Sequence, residues 1–367
     1  MACSRAMVAM IGLVVAALLF PAALSSTRPD QLISMTTDGQ YHSTRPVVTI
    51  ADGLTADYHD VSCPDLRGIV RTAVVEAVQG DITIAADLLR MFFHDCFPQG
   101  CDASVLLTGN NSEQGMGPNL TLRPVALNLI ESIRAAVHRA CGRTVSCADL
   151  TVLATRDSLV LAGGPHFDVA LGRRDALAPA SQDLVFTLPA PSFTVPELLK
   201  SFGDRNLDKA DLVSLSGAHT FGIAHCSSFS DRFTPDVDTN PAIDPNFAAK
   251  LKAKCAKDVP AGTVNQTLDV RTPDVFDNKY YFDLIAKQGL FKSDQGLIVH
   301  PDTTRMATRF SLNQGAFLEQ FAKSMVKMSN MDLLTGSQGE IRFNCAVPNS
   351  RVEGIETASD EGHAAAM

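Results

Sequence analysis

The distribution of cysteines constrains the fold of this chain more strongly than any other feature of its sequence. Nine cysteines occur in 367 residues, and Cys3 lies within an apolar leader. An even number remains, namely Cys63, Cys96, Cys101, Cys141, Cys147, Cys226, Cys255 and Cys345. In an exported chain such a set predicts a disulfide framework, whose pairing the sequence alone leaves open. Zinc is the alternative, but neither a Cys-x-x-Cys pair nor matched histidine spacing supports it.

The N-terminal residues have the pattern of a secretory signal. Arg5 precedes an apolar run over residues 7–24 that Pro21 interrupts, and small residues follow at the spacing of a cleavage site. The run approaches the length of a spanning helix, so a membrane anchor is the alternative, but Pro21 and the small-residue tail favour cleavage. We therefore predict a signal peptide over residues 1–25 and a secreted, soluble protein without stable membrane association.

Charge and length narrow the classes of protein further. The net charge is −9 and the sequence contains no run of lysines or arginines, which argues against nucleic acid as a partner. About 340 residues remain after cleavage, enough for one large domain or two lobes that share a core. We assign this domain to residues 56–346, with a polar N-terminal extension at 26–55 and a C-terminal extension at 347–367. The sequons at Asn110, Asn119 and Asn265 are usable only in the secretory route.

Apolar periodicity predicts a mainly α protein with little strand structure. A Pro-rich connection at residues 188–191 could separate two lobes. The predicted helices are Asp65–Val78, Asp81–Phe93, Val125–Ala140, Cys147–Leu161, Asp208–Ala218, Phe276–Gln288 and Gln314–Met328.

Two of these helices place a histidine close to apolar residues at helical spacing. Arg90 and His94 are four residues apart and project from one face of an otherwise apolar helix. This pattern fits either a functional pair or a polar face that meets water. His219 follows Leu212 and Leu215 at helical spacing, which fits either a core histidine or a metal ligand whose second nitrogen meets a carboxylate.

Two acidic loops follow these helices. Residues 95–104 and residues 269–277 each combine aspartates with a hydroxyl side chain. Calcium prefers six to eight oxygen ligands from carboxylates, hydroxyls and carbonyls in a constrained loop. Either loop could equally be a solvated turn.

Taken together, these motifs closely resemble the plant secretory (class III) peroxidases. The matching segments are LLRMFFHDCF (88–97), GCDASVLL (100–107), RTVSCAD (143–149), LGRRD (171–175), LSGAHTFG (215–222) and FDNKYY (276–281). They occur in the family's order and spacing from about Tyr58 to Cys345. The resemblance implies a two-lobed fold with one haem b between a distal and a proximal helix. It also implies a monomeric enzyme that reduces hydrogen peroxide to water and oxidises phenolic donors in one-electron steps through a ferryl intermediate.

The resemblance also implies a role for individual residues. His219 would bind the haem iron and Asp294 would accept the hydrogen of its other ring nitrogen. His94 would move the peroxide proton, Arg90 would stabilise the developing negative charge and Asn119 would hold the other nitrogen of His94. Pro189 matches a residue that contacts aromatic donors.

Two calcium ions and four disulfide bonds are implied in the same way. The distal calcium site would consist of Asp95, Pro98, Gly100, Asp102, Ser104 and Glu113. The proximal calcium site would consist of Thr220, Asp269, Thr272, Val275 and Asp277. The implied disulfide pairs are Cys63–Cys141, Cys96–Cys101, Cys147–Cys345 and Cys226–Cys255.

The chain departs from the family pattern around the donor-facing rim. Phe167 replaces the usual tryptophan, and the chain contains no tryptophan at all. The usual Arg-Gly-Phe reads Arg-Pro-Val at 123–125, and Gly117 and Ser228 occupy positions of frequent aromatics. These changes leave the preferred donor open. Because Asn119 would be buried if it held His94, we expect its sequon to stay unglycosylated.

Three other kinds of protein fit the sequence less well. A dormant haem- or calcium-binding wall protein would have lost Arg90, His94 or His219, and a hydrolase would need a nucleophile motif such as Gly-x-Ser-x-Gly, which is missing. An intracellular ascorbate-type peroxidase does not fit the signal and the cysteines. Cell wall and vacuole both remain open as destinations.

Overall fold

The computed structural model describes residues 53–234 and 241–351. The predicted signal peptide and most of both predicted extensions lie outside the described residues. The helices are α1 (Leu66–Gly80), α2 (Ile84–Gln99), α3 (Pro124–Cys141), α4 (Cys147–Leu161), α5 (Gln182–Val185), α6 (Val195–Gly203), α7 (Lys209–Ser216), α8 (Pro245–Cys255), α9 (Lys279–Ile285), α10 (Lys292–Val299), α11 (Thr304–Leu312) and α12 (Gln314–Ser329). Strands β1 (Ile223–His225) and β2 (Asn265–Thr267) pair antiparallel. The mainly α fold is confirmed.

The long predicted helices correspond to α1, α2, α3, α4 and α12 with small shifts at their ends. Two predicted helices are shorter in the structure. Asp208 caps α7, but the helix ends at Ser216, and a 3₁₀ turn over Gly217–Thr220 carries His219. The helix predicted from Phe276 starts only at Lys279, whose N–H donates to the Asp277 carboxylate (2.7 Å). The sequence interpretation missed α5, α6, α8, α10 and α11, which have at most 11 residues each.

The main core forms around α2 and α4, which pack most extensively against each other. α4 begins at a side-chain cap, where Ser146 Oγ accepts from the Asp149 N–H (3.1 Å), and nearly all of its residues are buried. α2 buries Leu88, Phe92 and Phe97 in the same core. A buried α2 backbone gives the side chains on its polar face a fixed support. None of the described helices is long and apolar enough to cross a membrane.

Four disulfide bonds join the eight cysteines of the described residues, in the pairs that the resemblance implies. They are Cys63–Cys141, Cys96–Cys101, Cys147–Cys345 and Cys226–Cys255. Cys147–Cys345 spans 198 residues and ties the start of α4 to the segment after α12. Cys226–Cys255 supports a second, smaller core that contains Phe229, Phe247 and Leu251.

Candidate active site and calcium loops

The distal histidine is buried and held by an amide. His94 is 8% exposed on α2, and its Nδ1 lies 2.6 Å from Asn119 Oδ1. The Asn119 amide nitrogen donates to the Glu113 carbonyl (3.0 Å), so the amide oxygen must face the imidazole. The hydrogen-bond network therefore assigns the ring hydrogen to Nδ1 and leaves Nε2 as an acceptor. Burial and the nearby Arg90 lower the pKa of His94 to about 3, so the ring is neutral at physiological pH.

Arg90 lies one turn before His94 and binds the segment that carries Asn119. Its guanidinium donates to the Thr121 carbonyl (2.7 Å), the Thr121 hydroxyl (2.9 Å) and the Pro118 carbonyl (3.2 Å). Burial lowers the pKa of Arg90, but an arginine remains charged in proteins. The structure therefore combines a neutral base and a fixed cation on one face of α2.

The proximal histidine is held by a carboxylate. His219 Nδ1 lies 2.7 Å from Asp294 Oδ1, which also accepts from the Tyr280 hydroxyl (2.9 Å). The Phe291 N–H donates to the other Asp294 oxygen (3.0 Å), and Asp294 is 2% exposed. The ring edges of Phe291 and Tyr280 contact His219. Because Nδ1 is engaged, Nε2 of His219 is the nitrogen that could bind a metal.

Two glycines, Gly217 and Gly222, lie close to His219 in the chain. A side chain at Gly217 would lie 2.5 Å from the Phe317 ring and 2.6 Å from the Tyr281 hydroxyl, so only glycine fits there. Gly222 has a φ of 96° and approaches Ala86 of α2, where an added Cβ would come within 3.1 Å. The segment after His219 thus contacts α2 one turn before Arg90.

The distal loop buries three carboxylates, Asp95, Asp102 and Glu113, which we call the distal acidic cluster. Burial raises the pKa of each, and for Asp95 the neighbouring carboxylates raise it further. Glu113 Oε1 accepts from the Ala180 N–H (2.7 Å), whereas the buried Glu113 Oε2 and Ser104 Oγ have no hydrogen-bond partner. Buried oxygens without partners are costly unless a cation binds them, so this donor set fits a hard cation.

Pro98 and Gly100 would contribute only their carbonyls to such a site. The Pro98 carbonyl accepts a hydrogen bond from Arg205, which also pairs with Asp332 (3.6 Å). Gly100 has a φ of 113°, and an added Cβ would collide with the Asp332 carbonyl at 2.1 Å. A glycine is therefore required at this end of the loop.

The proximal loop brings its predicted oxygens together directly after His219. Thr220 Oγ1 lies 3.3 Å from Asp269 Oδ2 and 3.2 Å from Asp277 Oδ1, and Thr272 Oγ1 lies 3.1 Å from Asp277 Oδ1. The side chain of Val275 is exposed, so only its backbone could contribute. Within the described parts of the chain, no three His, Cys, Asp or Glu side chains are grouped closely enough to hold a metal ion alone. Both loops would therefore depend on hydroxyl and carbonyl oxygens, which calcium accepts.

The residues of the expected donor rim are partly exposed. Pro189 is half-buried between α5 and α6, and Phe186 is 55% exposed. The Phe186 ring lies 3.6 Å from the place where a Cβ on Gly117 would be, so it covers part of the space left by the missing aromatic. Ser228 ends a 3₁₀ turn beside Cys226. Phe167 was expected at the rim, but this expectation is wrong, because its ring is buried in the main core.

Sequence reasoning missed two polar contacts of the site. Tyr280 donates to the carboxylate that holds His219, although it belongs to a motif that the resemblance used. Asp87, on the same helix face as Arg90, pairs with Arg123 at 2.7 Å. The spacing of three residues between Asp87 and Arg90 indicates only that the two share a helix face, and no local pattern points to Arg123.

Comparison with known proteins identifies the family. The profile of the family described as Peroxidase matches residues 70–313. The chain is 47% identical to Peroxidase 12 of Arabidopsis thaliana over 319 residues, covering 84% of this chain and 88% of that protein. It is also 47% identical to Cationic peroxidase SPC4 of Sorghum bicolor over 327 residues, covering 85% and 89%. A shorter match to Peroxidase 2 of Hordeum vulgare reaches 74% identity over 155 residues, covering 42% and 91%.

Family and motifs agree with each other and with the fold. The chain therefore belongs to the peroxidase family, as a haem enzyme of the plant secretory (class III) type that reduces hydrogen peroxide while oxidising donor molecules.

Proposed function

We propose that His94, Arg90 and Asn119 perform the peroxide chemistry of this enzyme, and that His219, supported by Asp294, binds the haem iron. The observation that carries the proposal is the contrast between two histidines. His94 Nδ1 meets a neutral amide, whereas His219 Nδ1 meets a buried carboxylate. Each arrangement leaves Nε2 for chemistry, as a base in the first case and as a metal ligand in the second.

The proximal residues fit a haem. A carboxylate that accepts the second ring hydrogen of a histidine fixes the ring and raises its basicity as a ligand. His219 is itself 36% exposed, and glycines at 217 and 222 keep its surroundings small. When bound, haem supplies the redox centre that breaks the peroxide O–O bond and then accepts electrons from the donors.

The distal residues would move one proton and stabilise one charge. Neutral His94 takes a proton from the bound peroxide at Nε2 and returns it to the departing oxygen, which leaves as water. The hydrogen bond from Nδ1 to Asn119 keeps the ring in the tautomer that this transfer needs. Arg90 stabilises the negative charge on the departing oxygen, because its three bonds to Thr121 and Pro118 do not use all the N–H groups of a guanidinium.

Phenolic donors would complete the cycle in one-electron steps. Each donor gives up one electron and one proton, so two donor molecules are oxidised for each peroxide reduced to two molecules of water. We assign donor contact to Pro189, which lies three residues after the exposed ring of Phe186. The departures at Gly117 and Ser228 concern this rim, whereas Phe167 lies in the main core and the residues that handle peroxide are retained.

We also propose two calcium ions with structural roles. The distal ion would bind Asp95, Asp102, Ser104, the Pro98 and Gly100 carbonyls and, through water, Glu113. Glu113 links this site to catalysis, since its carbonyl accepts from the amide of Asn119 that orients His94. The proximal ion would bind Thr220, Asp269, Thr272, Val275 and Asp277, directly after His219. Each cation would therefore brace one histidine-bearing segment.

We further propose that the mature protein is a secreted monomer of the cell wall or vacuole. Four disulfide bonds support a route through an oxidising compartment. The negative net charge supports the absence of a nucleic-acid partner.

Turnover of guaiacol with hydrogen peroxide tests the assigned chemistry. We expect the haem-loaded protein to be active, and we expect His94→Ala to slow its reaction with peroxide by about 10²–10⁴-fold, the usual contribution of acid–base catalysis. His166→Ala, which removes an exposed histidine, is the matched control and should react normally. A loss below tenfold in His94→Ala would remove this residue from the proposed role.

A further inference from the structure

The polar face of α2 contacts the segment 119–123. The contacts follow one another along the segment in the order opposite to that along the helix. Helix residues at i, i+3 and i+7 lie on one face, and every second residue of the segment meets one of them. The pairs are Asp87 with Arg123 (2.7 Å), Arg90 with Thr121 (2.7 and 2.9 Å) and His94 with Asn119 (2.6 Å). The segment that orients His94 is thus held at three points, and Asp87 provides the one farthest from the histidine.

The Asp87–Arg123 pair fixes the end of this segment. Arg123 is the last residue before α3, and its Nη1 donates both to Asp87 Oδ2 (2.7 Å) and to the Thr83 hydroxyl (2.7 Å). Its Nη2 lies 3.4 Å from Asp81 Oδ2. The side chain of Asp87 is 14% exposed and that of Asp81 is 41% exposed, so Asp87 is the less exposed and closer partner.

We propose that Asp87 is a positioning residue of the peroxide site, whose carboxylate holds Arg123 and thereby fixes the segment that Arg90 and Asn119 contact. The inference rests on the roles proposed above for Arg90, Asn119 and His94. It explains why a buried carboxylate lies one turn before the arginine that meets substrate. A carboxylate there would otherwise weaken the positive field of Arg90.

The raised pKa of Asp87 distinguishes a positioning role from a role in stabilising the fold. Burial, with a smaller contribution from Asp81, raises the pKa of Asp87 to about 6, although Arg123 and Arg90 oppose this shift. A carboxyl whose pKa rises on folding makes the folded state less stable as the pH increases from the unfolded pKa towards 6. Ionisation of Asp87 therefore costs stability at neutral pH, and the contact with Arg123 offsets this cost only in part. Its loss should change geometry and rate more than stability.

Asp87→Asn tests the inference, with Asp81→Asn as the matched control. Both variants remove one negative charge from Arg123, but Asp81 lies off the face shared by Arg90 and His94. At pH 7.5 we expect Asp87→Asn to lower the rate constant with peroxide about tenfold through misplacement of the distal groups. Asp81→Asn should stay within about twofold, as expected for an exposed pair.

The pH profile and two measurements without turnover provide further readouts. The wild-type rate constant should fall towards that of Asp87→Asn as the pH drops through about 6, and this step should be missing in the variant. In cofactor-free protein, hydrogen exchange of residues 117–123 should be faster in Asp87→Asn. The thermal unfolding temperature of this variant at pH 7.5 should not be lower than that of the wild type.

Several outcomes would overturn the inference. One is a normal rate constant and pH profile in Asp87→Asn. Another is unchanged hydrogen exchange in residues 117–123. A third is a faster reaction of this variant with peroxide, because Asp87 would then act only as a counter-charge of Arg90. If Asp87→Asn does not fold, Arg123→Ala should give the same tenfold loss, because it removes the partner that the Asp87 carboxylate holds. A wild-type protein that fails to react with peroxide would instead refute the proposed function.

Discussion

Replacement of Asp294 by alanine should weaken haem binding more specifically than it weakens the fold. The Asp294 carboxylate is buried and accepts three hydrogen bonds, from His219 Nδ1 (2.7 Å), the Tyr280 hydroxyl (2.9 Å) and the Phe291 N–H (3.0 Å). Alanine leaves all three donors without an acceptor and lets the His219 ring rotate.

The size of the effect follows from these three contacts. Each buried donor without a partner costs about 1–3 kcal/mol, or about 2–6 kcal/mol for the Tyr280 hydroxyl and the Phe291 N–H, whereas His219 is partly exposed to solvent. The variant no longer buries a charge, which returns several kcal/mol. We therefore expect the free energy of unfolding to fall by no more than about 3 kcal/mol. Loss of the carboxylate that orients a ligating histidine should weaken haem affinity about 10–100-fold.

Two assays separate these effects. Urea unfolding followed by circular dichroism gives the stability of cofactor-free protein, and titration followed by the haem absorption band gives the affinity. Asp175→Ala is a matched control, because Asp175 is also buried and accepts from the backbone N–H groups of Ala148 (2.9 Å) and Arg342 (3.0 Å). It should lose stability and keep haem affinity. Equal haem affinity in Asp294→Ala and Asp175→Ala would refute the reasoning.

Three further predictions concern calcium, glycosylation and the donor rim. Without calcium, burial keeps the pKa of each carboxyl group of the distal acidic cluster raised, so stability should fall as the pH rises above the ordinary pKa of a carboxyl group. Added calcium should remove this fall in thermal unfolding, and an equal slope with and without the ion would contradict the prediction. Mass spectrometry of protein secreted from plant cells should find glycan on the exposed Asn110 and none on Asn119, which is only 1% exposed. A glycan on Asn119 would exclude its hydrogen bond to His94. Phe186→Ala should raise KM for phenolic donors and leave the rate constant with peroxide unchanged, because the exposed ring lies on the rim; an unchanged KM would remove Phe186 from donor contact.

Local patterns in the sequence predicted the long helices, but they could not predict which distant residues meet. The apolar periodicity of α4 gave its bounds correctly, because a buried helix repeats its pattern over several turns. Short helices such as α5 and α10 carry too few turns for a period to stand out. The α7 prediction extended past Ser216 because nothing local shows that Gly217 must pack beneath Phe317.

The candidate site shows the same limit more sharply. Arg90 and His94 were recognised as a pair because they lie on one helix face. Asn119 is 25 residues from His94, and Asp294 is 75 residues from His219, so these contacts entered only through the family resemblance. The Tyr280 contact with Asp294 was not predicted, since a tyrosine in an apolar helix fits an ordinary core position equally well.

The most direct test of the whole interpretation is the absorption spectrum of His219→Ala after addition of haem. Wild type and His94→Ala should both bind haem with the spectrum of histidine-ligated iron. His219→Ala should fail to develop this spectrum, and added imidazole should restore it by replacing the missing ring. A His219→Ala protein that binds haem with the affinity and spectrum of the wild type would show that another residue holds the iron.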